Sequence, residues 1–552
     1  MLERASRLIA DRSGAVAATV GLSLFALVAV GGIAFDYARL ASLDSELQDG
    51  ADQAALAGAS QLDQVTGSRA RATAAAQALL TNRTLMANDK NASDTAITIP
   101  TVVFYATKAD AEANTNPVSS DLTAKFIRVV VAARKAFYAL TPVVSAFNSG
   151  DISAEAVAGL GTAICKSPPV MICNPAETGG NTSFDASTYI GKGLKLVSVG
   201  NGSGAWVPGN FGYLDSGGGS SGANGLKEAL GWTTPPGNCI GGSGVNTKPG
   251  ANVSVTDALN TRFDIYDSNQ ACQSGGSCPA SINSVKDVVR SANANGGNKC
   301  RMHNQGWGEV AGTNYYALVT SATVALPTAT VPAAMGHPRD MCHAVSVNGS
   351  CMGVQIGTGT WDRDAYFRTN YRRAVAGTGG AAGTRWSAAD WQSNTGLSPS
   401  VAITASNYAS RYRVYNWEIA HRDQVIDGVT ILGPNPAGAS GATKVAYGKP
   451  VCSPVEGSPV YGPGFVPGGT TPDRRRISAA VINCTANNVH GNSTNVPVEK
   501  WIELFLVEPS LNRTSGKTNA GDVYVEVIGE TTLGAGATAG QVIRRDVPYL
   551  VK

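Results

Sequence analysis

The stretch Gly14–Phe35, GAVAATVGLSLFALVAVGGIAF, decides how the rest of the chain is read. It carries no charged side chain, and its length matches the roughly 20 apolar residues a helix needs to cross about 30 Å of hydrocarbon. In water such a run would leave apolar surface on every side. Its flanks give it a direction. Arg4, Arg7 and Arg12 precede it, against Glu3 and Asp11, whereas Asp36, Asp44, Glu46, Asp49 and Asp52 follow it with Arg39 as the only basic residue among them. Basic residues are retained on the cytoplasmic side. The expected arrangement is therefore a cytoplasmic tail over 1–13, a transmembrane helix over 14–35 that includes Gly14, Leu24 and Phe35, and a body outside the cytoplasm. Gly32 and Ala34 also make a small-x-small cleavage pattern. A secretory signal has an apolar core of about 7–15 residues, so a retained single-pass anchor is preferred.

Beyond the run, Leu40, Leu43, Leu47, Ala51, Ala54 and Gly58 recur at spacings of three and four, with Asp36 and Tyr37 at their head. That spacing predicts the seam of an amphipathic helix continuing from the anchor. A second, alanine-rich helix is predicted over Arg69–Leu80, so residues 36–82 read as a helical stalk. Small residues allow helices to approach closely. Packing on the chain's own body and packing against neighbouring subunits both predict them.

The body has a different texture. Of 552 residues only 15% are charged, 64 are glycine, and the formal net charge is +3. No basic patch of the kind nucleic-acid binding requires is present. The runs ITIPTVVFYA, KFIRVVVAARKAFYAL and ISAEAVAGL predict strands of a small α/β, pilin-like unit over 95–160. A long region over 165–475, rich in glycine and serine, reads as a disulfide-bearing insertion or second domain. It holds a short helix over Gly225–Leu230 and weaker elements at VVRSANAN and YRVYNWEIAHRD. RRRISAAVINC, VEKWIELFLVEPSL, DVYVEVIGETT and VIRRDVPYLVK predict antiparallel strands over 476–552. If the last of these pairs back with the early strands, the middle is an insertion into one domain. The expected class is α+β, a transmembrane helix followed by a β-rich, loop-heavy body.

All ten cysteines lie beyond the anchor, which points to disulfides in an oxidising compartment. Proximity in sequence favours Cys165–Cys173, Cys272–Cys278 and Cys342–Cys351, then Cys239–Cys300 and Cys452–Cys484, although sequence leaves connectivity open. The rival is a zinc site around Cys342, His337 and His343, without any CxxC. Catalytic constellations are weak. The GxSxG match Gly218–Gly222 lies in GGGSSGANG, not between a strand and a helix. Of the histidines His303, His337, His343, His421 and His490, the tightest acid–base grouping is His337, Asp340 and His343. Asp264, Asp267, Ser268 and Asn269, and Asp362 with Asp364, offer hard oxygens without an EF-hand loop. No catalytic, cofactor or metal site is assigned.

The N-terminus RSGAVAATVGLSLFALVAVGGIAFDYARL, continued by LQDGADQAALAGA, resembles the start of TadE/TadG-like proteins of the bacterial tight-adherence (Flp) pilus system. Asp36-Tyr37, Leu47-Gln48, Ala51-Asp52 and Ala54 to Gly58 carry the likeness, which covers about the first sixty residues. The chain's length fits the TadG-like branch. The resemblance implies a single-pass inner-membrane protein, non-enzymatic and without cofactor, whose periplasmic bulk helps assemble or anchor an adhesive pilus. Its implied partners are other pilus or secretion assembly proteins, pseudopilins among them. Two positions depart. Thr19 stands where a processed pseudopilin carries glutamate, and Asp185-Ala-Ser187-Thr-Tyr189 lacks the final serine of a von Willebrand A metal motif. Two other readings remain: an exported adhesin or glycan-binding protein using loops around Trp206, Trp307 or Trp361, and an envelope hydrolase.

Overall fold

In the computed structural model the apolar run and the seam form one unbroken helix, α1, Ser13–Ala59. The structure describes residues 13–63, 66–78, 83–89, 96–138, 148–165, 170–178, 182–198, 206–215, 222–233, 235–236, 244–248, 253–267, 271–291, 294, 296–309, 334–344, 350–351, 355–374, 383–436, 444–452, 473–513, 518–531 and 543–551. At 13–17, 161–165, 198, 253–254, 436 and 543–547 it describes the backbone alone. After α1 come α2 (Ser68–Ala78), β1 (Thr101–Tyr105), α3 (Lys108–Ala113), β2 (Phe126–Val130) and β3 (Glu155–Cys165). The middle holds β4 (Val170–Cys173), β5 (Gly193–Ser198), β6 (Asn210–Leu214), α4 (Gly222–Gly231), β7 (Thr247–Lys248), α5 (Val253–Asn260), β8 (Val288–Ser291) and β9 (Trp307–Glu309). Helices α6 (Arg363–Asn370), α7 (Ala388–Thr395) and α8 (Arg411–Ala420) follow, then β10 (Val425–Ile426), β11 (Val429–Thr430), β12 (Pro434–Pro436) and β13 (Lys444–Tyr447). Strands β14 (Arg476–Ile482), β15 (Lys500–Leu506), β16 (Val523–Glu530) and β17 (Ile543–Leu550) end the chain.

The chain divides into two units, residues 1–162 with 546–552, and residues 163–545. In the first, a sheet of order β1-β2-β3-β17 forms, so the terminal strand joins the early ones and the middle is inserted between them. Strand β2 alternates in burial, as a sheet with one covered face must. Its inward Ile127 and Val129 meet Leu43, Leu47, Ala51 and Ala54 of α1 and Ala72 and Ala76 of α2. At Gly58 a Cβ would stand 2.5 Å from Ile127 Cδ1 and 3.2 Å from the Ala72 carbonyl, so a side chain there would force its neighbours to shift.

The second unit is built on a barrel. Its main sheet runs β4-β14-β15-β16-β5-β6-β7, and β4 also pairs with β6, so the sheet closes on itself. Alternation fills the interior: Ile172, Leu194, Leu196, Phe211, Ile477, Ala479, Val481, Ile502, Leu504, Val523, Val525 and Val527 share one core. The strands read over 476–552 are therefore not a sheet of their own. β14, β15 and β16 belong to the barrel and β17 to the first unit, because their partners are remote in sequence. Against the barrel's outer face, Tyr415 of α8 packs on Phe505 and Tyr524. A further core, containing Trp361, Tyr366, Phe367, Trp386 and Trp391, joins α6, α7 and α8.

The disulfides partly overturn the proximity pairing. Cys272–Cys278 and Cys342–Cys351 form. Cys173, however, pairs with Cys484, and Cys300 with Cys452. The pairs Cys165–Cys173, Cys239–Cys300 and Cys452–Cys484 are thereby excluded. The reason is topological: β4 and β14 run parallel with Cys173 beside Ile482, which brings Cys484 to a Cα–Cα distance of 5.3 Å across a separation of 311 residues. Cys239 and the side chain of Cys165 lie outside the described residues.

Candidate functional site

Helix α1 changes character along its length. Val20, Leu22, Leu24, Phe25, Leu27, Val30 and Phe35 are all exposed, so the apolar belt faces outward on every side rather than into a core. Leu24 is 60% exposed and Phe35 57%. A soluble core helix of this composition would be buried. From Leu43 onward the helix presents one buried stripe, Leu43, Leu47, Ala51 and Ala54, and Gly58 makes the close approach described above. Asp36 is also buried and Leu40 half-buried. Tyr37 is not on the seam: it is 70% exposed, because at 100° per residue it lies about 120° from Leu43. Polar side chains secure the seam at its rim. Gln48 Nε2 donates to Asp52 at 2.8 Å and to the Glu155 carbonyl at 3.1 Å.

This pairing of an outward apolar belt with an inward small-residue stripe is the arrangement that a family comparison addresses. Residues 14–61 match the family model described as "Putative Flp pilus-assembly TadE/G-like". The match covers the belt and the seam together, and it ends two residues after α1. No curated protein and no solved structure matches the chain. The matched segment thus comprises α1 and the turn after it, and it stands ahead of a β-rich, disulfide-bearing body.

The other residues singled out from sequence are held in structural bonds. Asp264 is buried and accepts the backbone N–H groups of Val451 (2.7 Å) and Cys452 (3.0 Å). Asp267 accepts from Met302 N, while Ser268 and Asn269 lie outside the described residues. Asp362 caps α6 by accepting from Ala365 N at 2.9 Å, and Asp364 accepts from the Trp391 indole at 2.7 Å. Asp185 caps its own short turn through Ser187 N (3.0 Å) and Oγ (2.7 Å), so that carboxylate serves a turn rather than an ion. Cys342, His343 and Cys351 cluster within 4.8 Å, but the two sulfurs are joined, which leaves His343 alone as a ligand there. Its Nδ1 lies 2.8 Å from the Tyr524 hydroxyl. His303, His421 and His490 sit apart from that cluster; His421 Nδ1 meets the Trp417 carbonyl and His490 Nδ1 the Asn488 carbonyl. The serine of the GxSxG match lies outside the described residues. Trp206, Trp307 and Trp361 are buried, so they offer no stacking surface to a glycan.

Sequence reasoning missed a buried polar centre. Glu418 on α8 accepts from the Tyr366 hydroxyl (2.5 Å), the Tyr371 hydroxyl (2.6 Å) and Asn283 Nδ2 (2.6 Å). His337 stacks on Tyr366 and stands 3.7 Å from Glu418. Burial pushes the Glu418 carboxyl up and the His337 imidazole well below its usual range. The adjoining cavity, lined by Lys286, Tyr371 and Glu418, is about 30 Å³, room for one water. A substrate does not fit there. Nothing in the pattern around Glu418 announces burial, since a helical WEIAHRD reads as a solvated face.

Proposed function

We propose that the chain is a membrane-anchored structural component of a Tad/Flp-type pilus system. Residues 14–35 cross the inner membrane, residues 1–13 stay in the cytoplasm, and the rest of the chain lies in the periplasm as an interaction surface for other assembly proteins. The observation that carries this reading is α1 itself, exposed and apolar all round at Leu22, Leu24, Leu27 and Phe35, then buried along one stripe from Leu43. The family match over 14–61 supports the pilus assignment. Arginines before the belt and carboxylates after it support the orientation. The disulfides support an oxidising compartment. A non-enzymatic role agrees with the way Asp264, Asp362 and Glu418 are spent on internal hydrogen bonds.

The test is protease added to spheroplasts. The body is expected to be digested while an N-terminal tag survives; a spared body would reverse the orientation. In a deletion strain, surface pili and adherence are expected to be lost, and unchanged piliation would remove the assembly role.

A further inference from the structure

We propose that Arg368, Arg372 and Arg385 form an oxyanion site on the second unit, fitted to a phosphoryl group. Two short segments bring them together. Residues 371–373 run antiparallel to 384–386, with Arg372 directly opposite Arg385. Arg373 N donates to the Thr384 carbonyl at 2.9 Å, and Trp386 N to the Tyr371 carbonyl at 3.0 Å. These two bonds frame a non-hydrogen-bonded pair, the arrangement in which opposite side chains stand on one side of the ribbon and lie closest. Tyr371 and Trp386 beside them stack in the aromatic core and are buried, whereas both arginines are half-buried and keep access to solvent. Arg385 reaches the C-terminal end of α6, where its Nη1 donates to the Arg368 carbonyl at 2.7 Å and to the Thr369 carbonyl at 2.9 Å. Arg368, also half-buried, belongs to that last turn.

Like charges directly opposite across two strands are destabilising. Burial, and then the neighbouring Arg372 and Arg368, push the Arg385 guanidinium down to about 10. Local acids do not offset this crowding. Arg373, next in the chain, has ion pairs with Asp390 at 3.1 Å and with Asp427. Among the described residues no carboxylate makes such a pair with Arg368 or Arg385, whose Nη1 is given to carbonyls. Asp364, one turn before Arg368 on α6, accepts from the Trp391 indole, and Asp362 caps the far end of the helix. The residues that join the two segments, 375–382 (VAGTGGAA), include no acid. Neither do 437–443 (AGASGAT), which follow the strand whose Asn435 Nδ2 donates to the Thr369 carbonyl at 3.0 Å. Capping α6 accounts for Arg385 by itself, since a cation is favoured at a helix C-terminus. It does not account for a second arginine set opposite it and a third beside it. A carboxylate brings one charge and two oxygens, which a single guanidinium fork satisfies. A phosphoryl group brings a charge of about −1.5 to −2 and three acceptor oxygens, which suits three forks together.

The full chain, purified in detergent, is titrated calorimetrically with inorganic phosphate and with glycerol 3-phosphate at constant ionic strength. Saturable binding is expected. Arg368→Gln and Arg372→Gln should each weaken it about tenfold or more. Lys500→Gln, which removes a barrel lysine paired with Glu530 at 3.1 Å, should leave it unchanged. Arg372→Lys keeps the charge without the fork and is expected to fall between the parent and Arg372→Gln, which separates lost recognition from a lost fold. Tighter binding of glycerol 3-phosphate would assign the site to an esterified phosphate and equal binding to the free ion, and both support it. No saturable binding of either probe would overturn the proposal, as would unchanged binding in both glutamine variants. Equal weakening by Lys500→Gln would reduce the effect to overall charge and overturn it too.

Discussion

Arginine is the residue on which this fold departs furthest from its sequence. The run Arg474-Arg475-Arg476 stands at the head of the predicted strand RRRISAAVINC, yet Arg474 and Arg475 are fully buried. Arg474 donates to the Pro279 carbonyl at 3.0 Å, and Arg475 to the Leu506 carbonyl at 2.8 Å and the Val507 carbonyl at 3.0 Å. A guanidinium offers several donors in a fixed fork, so each one ties together loops whose carbonyls would otherwise be buried unpaired. Arg411 does the same with charge, bridging Asp340 and Glu526 with all three side chains buried. Arg411→Met would strand two carboxylates in the interior and is expected to cost about 3–5 kcal/mol. Denaturant unfolding measures it, and the deficit should shrink at low pH, where the stranded carboxylates take up protons. Asp362 gives a second test. Burial raises its carboxyl to about 6. The folded state therefore holds that proton more tightly than the unfolded chain, so this group favours folding below about pH 4 and loses that contribution as pH rises through about 6. Asp362→Asn keeps a cap for Ala365 N and does not titrate. Relative to the parent it is expected to gain up to about 3 kcal/mol between pH 4 and pH 6, and a pH-independent difference would contradict the assignment.

Among elements, α1 was legible because two periodicities follow each other in one helix, apolar all round and then apolar at every third and fourth position. Those two parts should respond differently to mutation. Leu47→Ala removes buried contacts and is expected to cost about 2–5 kcal/mol in the first unit, whereas Leu24→Ala should leave that stability unchanged within about 0.5 kcal/mol. Thermal unfolding in detergent separates them. The shorter helices were missed although signals existed. Ser387 and Asp390 form a reciprocal capping box at the start of α7, and Thr107 accepts from Asp110 N at α3. Such S/T-x-x-D patterns are a helix start. In a chain this rich in serine, threonine and aspartate they do not stand out, and helices of eight residues or fewer carry too few turns to show a period. YRVYNWEIAHRD was ambiguous for a related reason: α8 is buried through Arg411, Val414, Tyr415 and Glu418, a stripe half polar in composition.

At the scale of the whole molecule, the first unit is discontinuous. Its sheet is completed by β17, and Val551 N donates to the Val157 carbonyl at 2.7 Å. Ending the chain before Asp546 is expected to expose the edge of β3 and make the first unit protease-sensitive while the barrel unit survives. Limited proteolysis with mass mapping reads this directly, and an equally resistant first unit would show that β17 is dispensable. The disulfides act at the same scale. Cys173–Cys484 closes a loop of 311 residues and Cys300–Cys452 one of 152. Constraining such long loops in the unfolded chain stabilises by about 2–5 kcal/mol each. Reductant should therefore lower the melting temperature of the barrel unit, and non-reducing peptide mapping should recover these two crosslinks rather than Cys452–Cys484.

What the sequence determined by itself is local: the apolar helical run over 14–35, the seam from Leu43 to Gly58, and the strand runs. Each depends on residues a few positions apart, where period, charge and side-chain size act directly on the backbone. Tertiary structure decided the rest. Closure of the barrel through β4 and β6, the pairing of Cys173 with Cys484, the burial of Arg474 and Arg475, and the bonds from Arg39 and Glu46 to the backbone at Leu85 and Met86 all join segments remote in sequence. Such contacts form only when long loops close, and the entropy of closing a loop grows so slowly with its length that local pattern carries almost no information about which partner is chosen.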